Sequence, residues 1–132
     1  MNLVSDVSAT RPLSVLVIEH HADTRTQLSR LLRGYALDVR AADSCATARQ
    51  AAQGDGASPD IVVGEIHLPD GDGVDLLAEL KATHGCPTIA FTSLGMAADV
   101  ARCTAAGIDR HLLKPLGVRD LREAIRSLAR CA

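Results

Sequence analysis

Side chains that could do chemistry follow several short apolar stretches of the sequence. They comprise two carboxylates, three imidazoles, two hydroxyls and one ammonium group, carried by Glu19, His20, His21, Glu65, His67, Thr92, Ser93 and Lys114. Two carboxylates held close together resist double ionisation unless a cation lies between them. Lys114 or a divalent metal ion can supply that positive charge. The competing interpretation is a solvated rim of polar loop residues with no joint role.

The elements that must position these groups are strands and helices in regular alternation. Val15–Ile18 and Ile61–Val63 are continuous apolar runs, typical of strands buried on both faces. Leu37, Val39 and Ala41 alternate with polar residues, as in a half-buried edge strand. The remaining strands are predicted over Thr88–Phe91 and His111–Leu113.

Helices are predicted between the strands from apolar residues at helical spacing. The first helix ends at Gly34, the second begins at Asp43 or Ser44, and Asp72 can cap the third. The first predicted helix, Thr24–Arg33, has Leu28, Leu31 and Leu32 at core positions, and the second runs to about Gln53. The third has Leu76, Leu77 and Leu80 on one face, and the fourth covers Ala97–Ala106. The last has Val118, Leu121, Ile125 and Leu128 on one face.

This alternation predicts an α/β fold of the flavodoxin-like type, (βα)5, a doubly wound sheet with three layers. Its five strands are expected to be parallel, in the order 2-1-3-4-5. Ligand sites in such sheets lie at the carboxyl ends of the strands, near the switch in strand order. Glu19 and Glu65 fall there, after strands one and three. Residues 1–12 are predicted to be a flexible arm, and residues 13–132 the domain.

Composition excludes several classes of protein. The 132 residues are 47% apolar and carry a net charge of −2, so a full core is available and no basic field exists to hold nucleic acid or an anionic membrane. The four cysteines are scattered without a C-x-x-C pair, which argues against a zinc knuckle. Neither a transmembrane stretch nor the apolar block of a signal peptide is evident, so a cytoplasmic location is expected.

Three enzyme or cofactor interpretations are weak. The first turn, Glu19–Asp23, contains no glycine, so it does not match a phosphate-binding loop. No G-x-S-x-G nucleophile elbow occurs. A zinc site from His20, His21 and His67 is conceivable, because imidazole suits zinc. Adjacent histidines usually point in different directions, however, and surface histidines are common.

Four motifs occur in register from about Ser14 to Leu128: VLVIEH, DIVVGEIHLPDGDG, PTIAFTS and AAGIDRHLLKPL. Together they resemble the receiver domain of bacterial two-component response regulators. In that family an acidic pair after the first strand holds magnesium, and an aspartate ending the third strand accepts a phosphoryl group from a histidine kinase. A hydroxyl after the fourth strand and a lysine after the fifth bind the phosphoryl oxygens.

The resemblance assigns a role to each matching position of this chain. They are Glu65 at the phosphoacceptor position, Glu19 and His20 at the acidic pair, Thr92 and Lys114 at the phosphoryl-binding positions, His111 at the switch position, and Pro115 in the peptide that is often cis. Three positions depart from the family pattern: His20 replaces an acid, Glu65 replaces the acceptor aspartate, and His111 replaces an aromatic residue.

Two of these departures predict that phosphoryl transfer is lost or very weak. Magnesium prefers oxygen ligands in near-octahedral geometry, so His20 should lower its affinity steeply. Glu65 extends the acceptor carboxylate by one C–C bond, about 1.5 Å, and in-line transfer tolerates such misplacement badly. We therefore expect no enzyme and no catalytic residue, but a phosphorylation-independent protein-interaction module. The alternative is a receiver still phosphorylated with altered metal dependence; any ion would involve Glu19, His20, Glu65 and His67.

The longer carboxylate leaves two further interpretations open. A Glu65–Lys114 ion pair, with Thr92 donating to the carboxylate, could imitate the phosphorylated state; equally, the site could be inert. His111 could sense pH through its imidazole, although a half-exposed strand histidine is the more ordinary interpretation.

The resemblance implies protein partners: a histidine kinase, an output domain or another signalling protein. A homodimer could form through the face of the fourth helix, fifth strand and fifth helix. That face is predicted to carry Asp99, Arg102, Arg110, Arg119 and Arg122 beside Ala97, Ala98 and Ala101.

Overall fold

The computed structural model describes residues 12–54, 58–92, 97–114 and 117–131. Five strands form one parallel sheet: β1 Ser14–Ile18, β2 Asp38–Ala42, β3 Ile61–Glu65, β4 Thr88–Thr92 and β5 Arg110–Leu113. Their order is β2-β1-β3-β4-β5, which confirms the predicted flavodoxin-like topology. Val15 of β1 pairs with Val39 on one side and with Ile61 on the other.

Five helices connect and follow the strands: α1 Ala22–Arg33, α2 Cys45–Gln53, α3 Gly73–His84, α4 Ala97–Ala105 and α5 Val118–Cys131. Of the two predicted starts of α2, Ser44 is the N-cap, and its side chain exchanges hydrogen bonds with Thr47 in a capping box. Asp72 caps α3 as predicted, accepting a 2.8 Å bond from the Val74 amide. Helix α1 begins two residues earlier than predicted, after His21, which makes no side-chain capping bond.

Among the described residues, the core lies on both faces of the sheet, in two separate clusters. One face packs Leu16, Ile18 and Val62 against α2, α3 and α4. The opposite face packs Val15, Val17 and Phe91 against α1 and α5. This arrangement gives the three layers that the sequence predicts, with β1 and β3 covered on both sides.

Two predicted core positions are wrong. Leu31 of α1 is 47% exposed, whereas Leu28 and Leu32, four residues apart on one face of the helix, point to the sheet. Ala41 is exposed because it lies near the carboxyl end of an edge strand that only β1 flanks. The next residue, Ala42, faces the other side and is buried.

Some sequence predictions fall outside the described residues. The flexible arm over 1–12 does so apart from Pro12, and so do Ser93 and Pro115. Among the residues that the structure describes, no helix has the length and apolar character needed to cross a membrane.

Candidate functional site

The candidate site lies where the central strands end. Glu19 directly follows β1, Glu65 is the last residue of β3, and Lys114 directly follows β5. Parallel strands bring their carboxyl ends to the same edge of a sheet, so these residues converge although 95 positions separate Glu19 from Lys114. Backbone bonds continue the sheet to this edge: the Glu19 amide donates to Ala42, and the Lys114 amide donates to Thr92, each at 3.0 Å.

The Lys114 ammonium group lies between the two carboxylates. Its Nζ donates to Oε1 of Glu19 and, at 2.5 Å, to Oε2 of Glu65. Glu19 is fully buried and Glu65 is 5% exposed, while the Lys114 side chain keeps 17% of its surface in solvent. The cation that two neighbouring carboxylates require is therefore supplied by the chain itself.

Burial and pairing act in opposite directions on this triad. Burial raises the pKa of Glu19, but the bonds from Lys114 and the His21 amide, together with the lysine charge, lower the pKa overall. Burial likewise lowers the pKa of Lys114, while the bonds and charges of Glu19 and Glu65 raise the pKa overall. Each shift favours the charged form, so Glu19 and Lys114 form an ion pair at neutral pH.

The second oxygen of Glu19 faces two imidazoles. Its Oε2 accepts a 3.0 Å bond from the His21 amide and lies 3.1 Å from His21 Nδ1 and 3.8 Å from His20 Nδ1. The two rings lie with their centroids 3.9 Å apart. The expectation that these adjacent histidines point in different directions is therefore wrong, because the Nδ1 atoms of both rings lie near the same Glu19 oxygen.

Arg25 was missed by the sequence reasoning, yet it orders this turn. From the first turns of α1 its Nη1 donates to the carbonyl oxygen of Glu19 at 2.9 Å and to that of His20 at 3.3 Å. A cation one helical turn after a polar loop is a weak signal, because solvated arginines occur often at such positions.

Gly73 determines how the loop after Glu65 packs. A Cβ at this position would lie 2.1 Å from the Glu65 carbonyl oxygen and 2.5 Å from the Ile66 Cα. The Gly73 amide donates to the Ile66 carbonyl at 2.8 Å. This close approach of two backbones is open only to glycine, and it fixes the end of β3 against the start of α3.

The predicted ligand set of Glu19, His20, Glu65 and His67 is not assembled. Glu65 binds Lys114, and the His67 ring lies beside Asp99 of α4, with Nε2 3.9 Å from Asp99 Oδ2. Among the described residues, the one group of three metal-ligating side chains is Glu19, His20 and His21, whose ligand atoms all lie within 4.8 Å of one another.

The two remaining predicted site residues lie on β4 and β5. Thr92 is fully buried at the end of β4. His111 is half-buried in β5, and its Nε2 is buried without a hydrogen-bond partner among the described residues. Their predicted roles in phosphoryl binding and switching stay predictions.

Two arginines predicted on the face of α4, β5 and α5 are engaged elsewhere. Arg102 forms a salt bridge with Asp72, the capping residue of α3. Arg122 lies over the ring of Tyr35, 4.6 Å from its centroid, because α5 packs beside α1. Arg102 stays 46% exposed beside its salt bridge. The exposed part of the predicted face therefore consists of Ala97, Ala98, Ala101, Arg102, Arg110 and Arg119.

Comparison with known proteins places this geometry in context. The profile of the response regulator receiver domain matches residues 15–126. The transcriptional regulatory protein PdtaR of Mycobacterium tuberculosis is 30% identical over 123 residues, which is 92% of this chain and 58% of PdtaR. The KDP operon transcriptional regulatory protein KdpE of Escherichia coli is 27% identical over 86% of this chain and 49% of its own length. The chain thus spans about half of these relatives.

Solved structures agree on the fold. The signal receiver domain of an HD domain-containing protein from Pseudomonas fluorescens superposes with a TM-score of 0.84, at 25% identity, covering 92% of this chain and 90% of that one. A CheY-like receiver domain protein from Methanospirillum hungatei gives the same TM-score at 20% identity, covering 91% and 95%.

Proposed function

Because this chain belongs to the response regulator receiver domain family, we propose that it is an atypical receiver that works in two-component signalling without phosphoryl transfer. Receiver domains are regulatory and interact with histidine kinases and output domains. For this chain we propose a regulatory protein-interaction module rather than an enzyme, located in the cytoplasm.

The observation that carries the proposal is the double contact of Lys114. The family resemblance assigns this lysine to a phosphoryl oxygen. Here its ammonium group already binds the carboxylate at the acceptor position, with Nζ 2.5 Å from Glu65 Oε2, and also binds Glu19. A phosphoryl group on Glu65 would have to displace this pair from a nearly buried position, and each charge-assisted bond contributes about 1.5–3 kcal/mol.

The metal chemistry supports the same conclusion. The donor set does not fit magnesium, which needs several oxygen ligands in octahedral geometry. Glu19 already binds Lys114 through one oxygen, Glu65 also binds it, and His20 offers nitrogen in place of a carboxylate. We therefore propose that magnesium binding is weak or absent.

Glu65 also supports a more specific form of the proposal. Its ion pair with Lys114 is the contact required if the longer carboxylate imitates the phosphorylated state. In that case Glu65→Gln, which keeps the shape and removes the charge, changes partner binding or oligomeric state. If neither changes, the site is inert and the interaction surface acts independently of it.

Acetyl phosphate tests the central proposal directly. The chain is incubated with acetyl phosphate and Mg²⁺ or Mn²⁺, and intact mass is measured. We expect no gain of a phosphoryl group in the native chain. The double variant His20→Asp, Glu65→Asp restores both family carboxylates and is expected to gain one. A gain by the native chain that Glu65→Gln abolishes would establish the alternative, a receiver still phosphorylated with altered metal dependence.

The partner proposed is a histidine kinase, an output domain or another signalling protein, and not nucleic acid or a membrane. A homodimer through α4, β5 and α5 is supported by exposed small and apolar side chains on that face, where Val100 is 40% and Leu113 56% exposed. Sedimentation analysis of Leu113→Glu against the native chain tests this interface, because a buried glutamate would dissociate the dimer.

A further inference from the structure

Two imidazoles and one carboxylate meet in the turn between β1 and α1. Glu19 Oε2 lies 3.1 Å from His21 Nδ1 and 3.8 Å from His20 Nδ1. A tetrahedral zinc ion with ligands at 2.0–2.1 Å requires neighbouring ligand atoms about 3.3 Å apart. The two separations from Oε2 bracket that value, and all three ligand atoms lie within 4.8 Å of one another.

The turn is held in place by contacts outside the three ligand atoms. Lys114 binds Oε1 of Glu19, which orients the carboxylate so that Oε2 faces the imidazoles. Arg25 donates hydrogen bonds to the carbonyl oxygens of Glu19 and His20, which restrains the backbone of the turn. Partners of this kind around a ligand set orient the ligands and typically change metal affinity by about 10- to 100-fold.

The exposure of the cluster suits an ion taken from solution. The His20 side chain is 36% exposed and that of His21 is 64% exposed, whereas Glu19 is fully buried. The rings can therefore adjust, and water can complete the coordination. Binding needs the neutral imidazole with its proton on Nε2, so Nδ1 offers its lone pair to the ion.

From this geometry we propose that Glu19, His20 and His21 form a binding site for a transition metal ion of the Zn²⁺ class. Imidazole nitrogen suits zinc, nickel and copper, while magnesium favours oxygen ligands. Glu65 lies outside this cluster, whose ligand atoms come from Glu19, His20 and His21. We thus propose that His20, which replaces an acidic residue of the family pattern, weakens magnesium binding and shifts the metal preference of this edge of the sheet toward zinc. Zinc binding at this site does not depend on whether Glu65 accepts phosphate.

Equilibrium dialysis with ZnCl₂ tests the site in the full chain. Cys45, Cys86 and Cys103 are buried, and Cys131 is replaced by serine in every protein so that it contributes no thiolate. The chain has five histidines, which offers matched controls: His20→Gln and His21→Gln remove ligands, whereas His67→Gln and His84→Gln remove imidazoles outside the cluster. Melting temperature with and without zinc provides a second measurement, since a ligand bound only by the folded state stabilises it.

We expect one zinc ion per chain and a rise in melting temperature on binding. Removing His20 or His21 should lower the affinity by at least about 10-fold, in line with the effect of losing even indirect partners, and the two control variants should bind as the native chain does. Substituted Co²⁺ should show the intense visible absorption of four-coordinate cobalt. The proposal is overturned if the native chain shows no saturable binding, or if His67→Gln weakens binding as much as His21→Gln.

These outcomes are distinct from those of the acetyl phosphate experiment. Zinc binding without phosphate uptake supports both proposals. Phosphate uptake in Mg²⁺ together with zinc binding refutes the phosphorylation-independent role alone. Absence of zinc binding by the native chain refutes the proposed metal site alone.

Discussion

Replacing Lys114 with methionine is the most direct test of the charged triad. Methionine keeps an unbranched stem of similar length, so it can still pack near Phe91, whose ring centroid lies 5.0 Å from Nζ. The substitution removes the ammonium group that contacts both Glu19 and Glu65. Two almost buried carboxylates would then face each other without their shared cation.

The expected loss of stability follows from the contacts. Two hydrogen bonds between charged groups contribute about 1.5–3 kcal/mol each, so the gross loss is about 3–6 kcal/mol. Lys114 is 17% exposed, so water reaches the site. Water can therefore solvate the carboxylates in part, and one of them can take up a proton. We therefore expect a net decrease of about 2–4 kcal/mol in the free energy of unfolding at pH 7.

The pH dependence of the free energy of unfolding distinguishes the native chain from the variant. In the native chain, the pKa of Glu19 is lowered from its ordinary 4.5, so its stabilisation is lost only as pH falls below that value. The pKa of Lys114 is raised from 10.5, so its stabilisation is lost only above that value. The Glu19–Lys114 pair therefore contributes a constant stabilisation across neutral pH.

The variant should behave differently across the same range. Without the lysine, burial and repulsion from the neighbouring carboxylate raise the pKa of Glu19 above its value in the unfolded chain. The folded state then binds more protons than the unfolded state, so stability decreases as pH rises from about 5 to about 8. The deficit relative to the native chain should accordingly be smaller at pH 5 than at pH 8.

Urea unfolding followed by far-ultraviolet circular dichroism measures both effects. Lys81→Met is the matched control, because Lys81 pairs with Asp109 at 2.8 Å in a position 38% exposed; it should cost at most about 1 kcal/mol. Adding Glu65→Gln to Lys114→Met should recover part of the loss by removing one unpaired charge. A loss below 1 kcal/mol, or no recovery in the double variant, would refute the reasoning.

Three further outcomes are expected. Gly73→Ala should destabilise the fold by more than about 3 kcal/mol in urea unfolding, since its Cβ would lie 2.1 Å from a backbone oxygen, whereas Gly54→Ala, with contacts of 3.5 Å, should cost little. Asp72→Ala should cost about 1–2 kcal/mol, mainly through the lost cap, because its exposed salt bridge with Arg102 adds little. Asp75→Ala in the same turn should cost less, and equal costs would contradict the capping argument. Burial raises the pKa of Cys45 to about 11. Ellman's reagent should therefore label the Cys45 thiol at pH 8 only after unfolding. Rapid labelling of Cys45 in the folded protein would contradict its burial.

Much of the fold was predictable because it depends on local pattern. Continuous apolar runs at Val15–Ile18 and Ile61–Val63 identify strands buried on both faces, and their alternation with helices permits few topologies. The wrongly predicted core positions are those whose burial depends on neighbouring elements. Leu31 has helical spacing but lies outside the face of α1 that packs on the sheet, and Ala41 lies near the end of an edge strand.

The site was predictable as a set of residue types at one edge, but not as a set of contacts. The sequence alone determined that carboxylates, imidazoles and a lysine follow strands whose carboxyl ends must meet, and that a cation was needed between the acids. Only the tertiary structure decided that Lys114 binds both Glu19 and Glu65, that His20 and His21 lie beside the same carboxylate, and that the His67 ring lies beside Asp99. Side-chain direction depends on atoms brought together from distant parts of the chain, and a linear pattern of residue types carries no record of that packing.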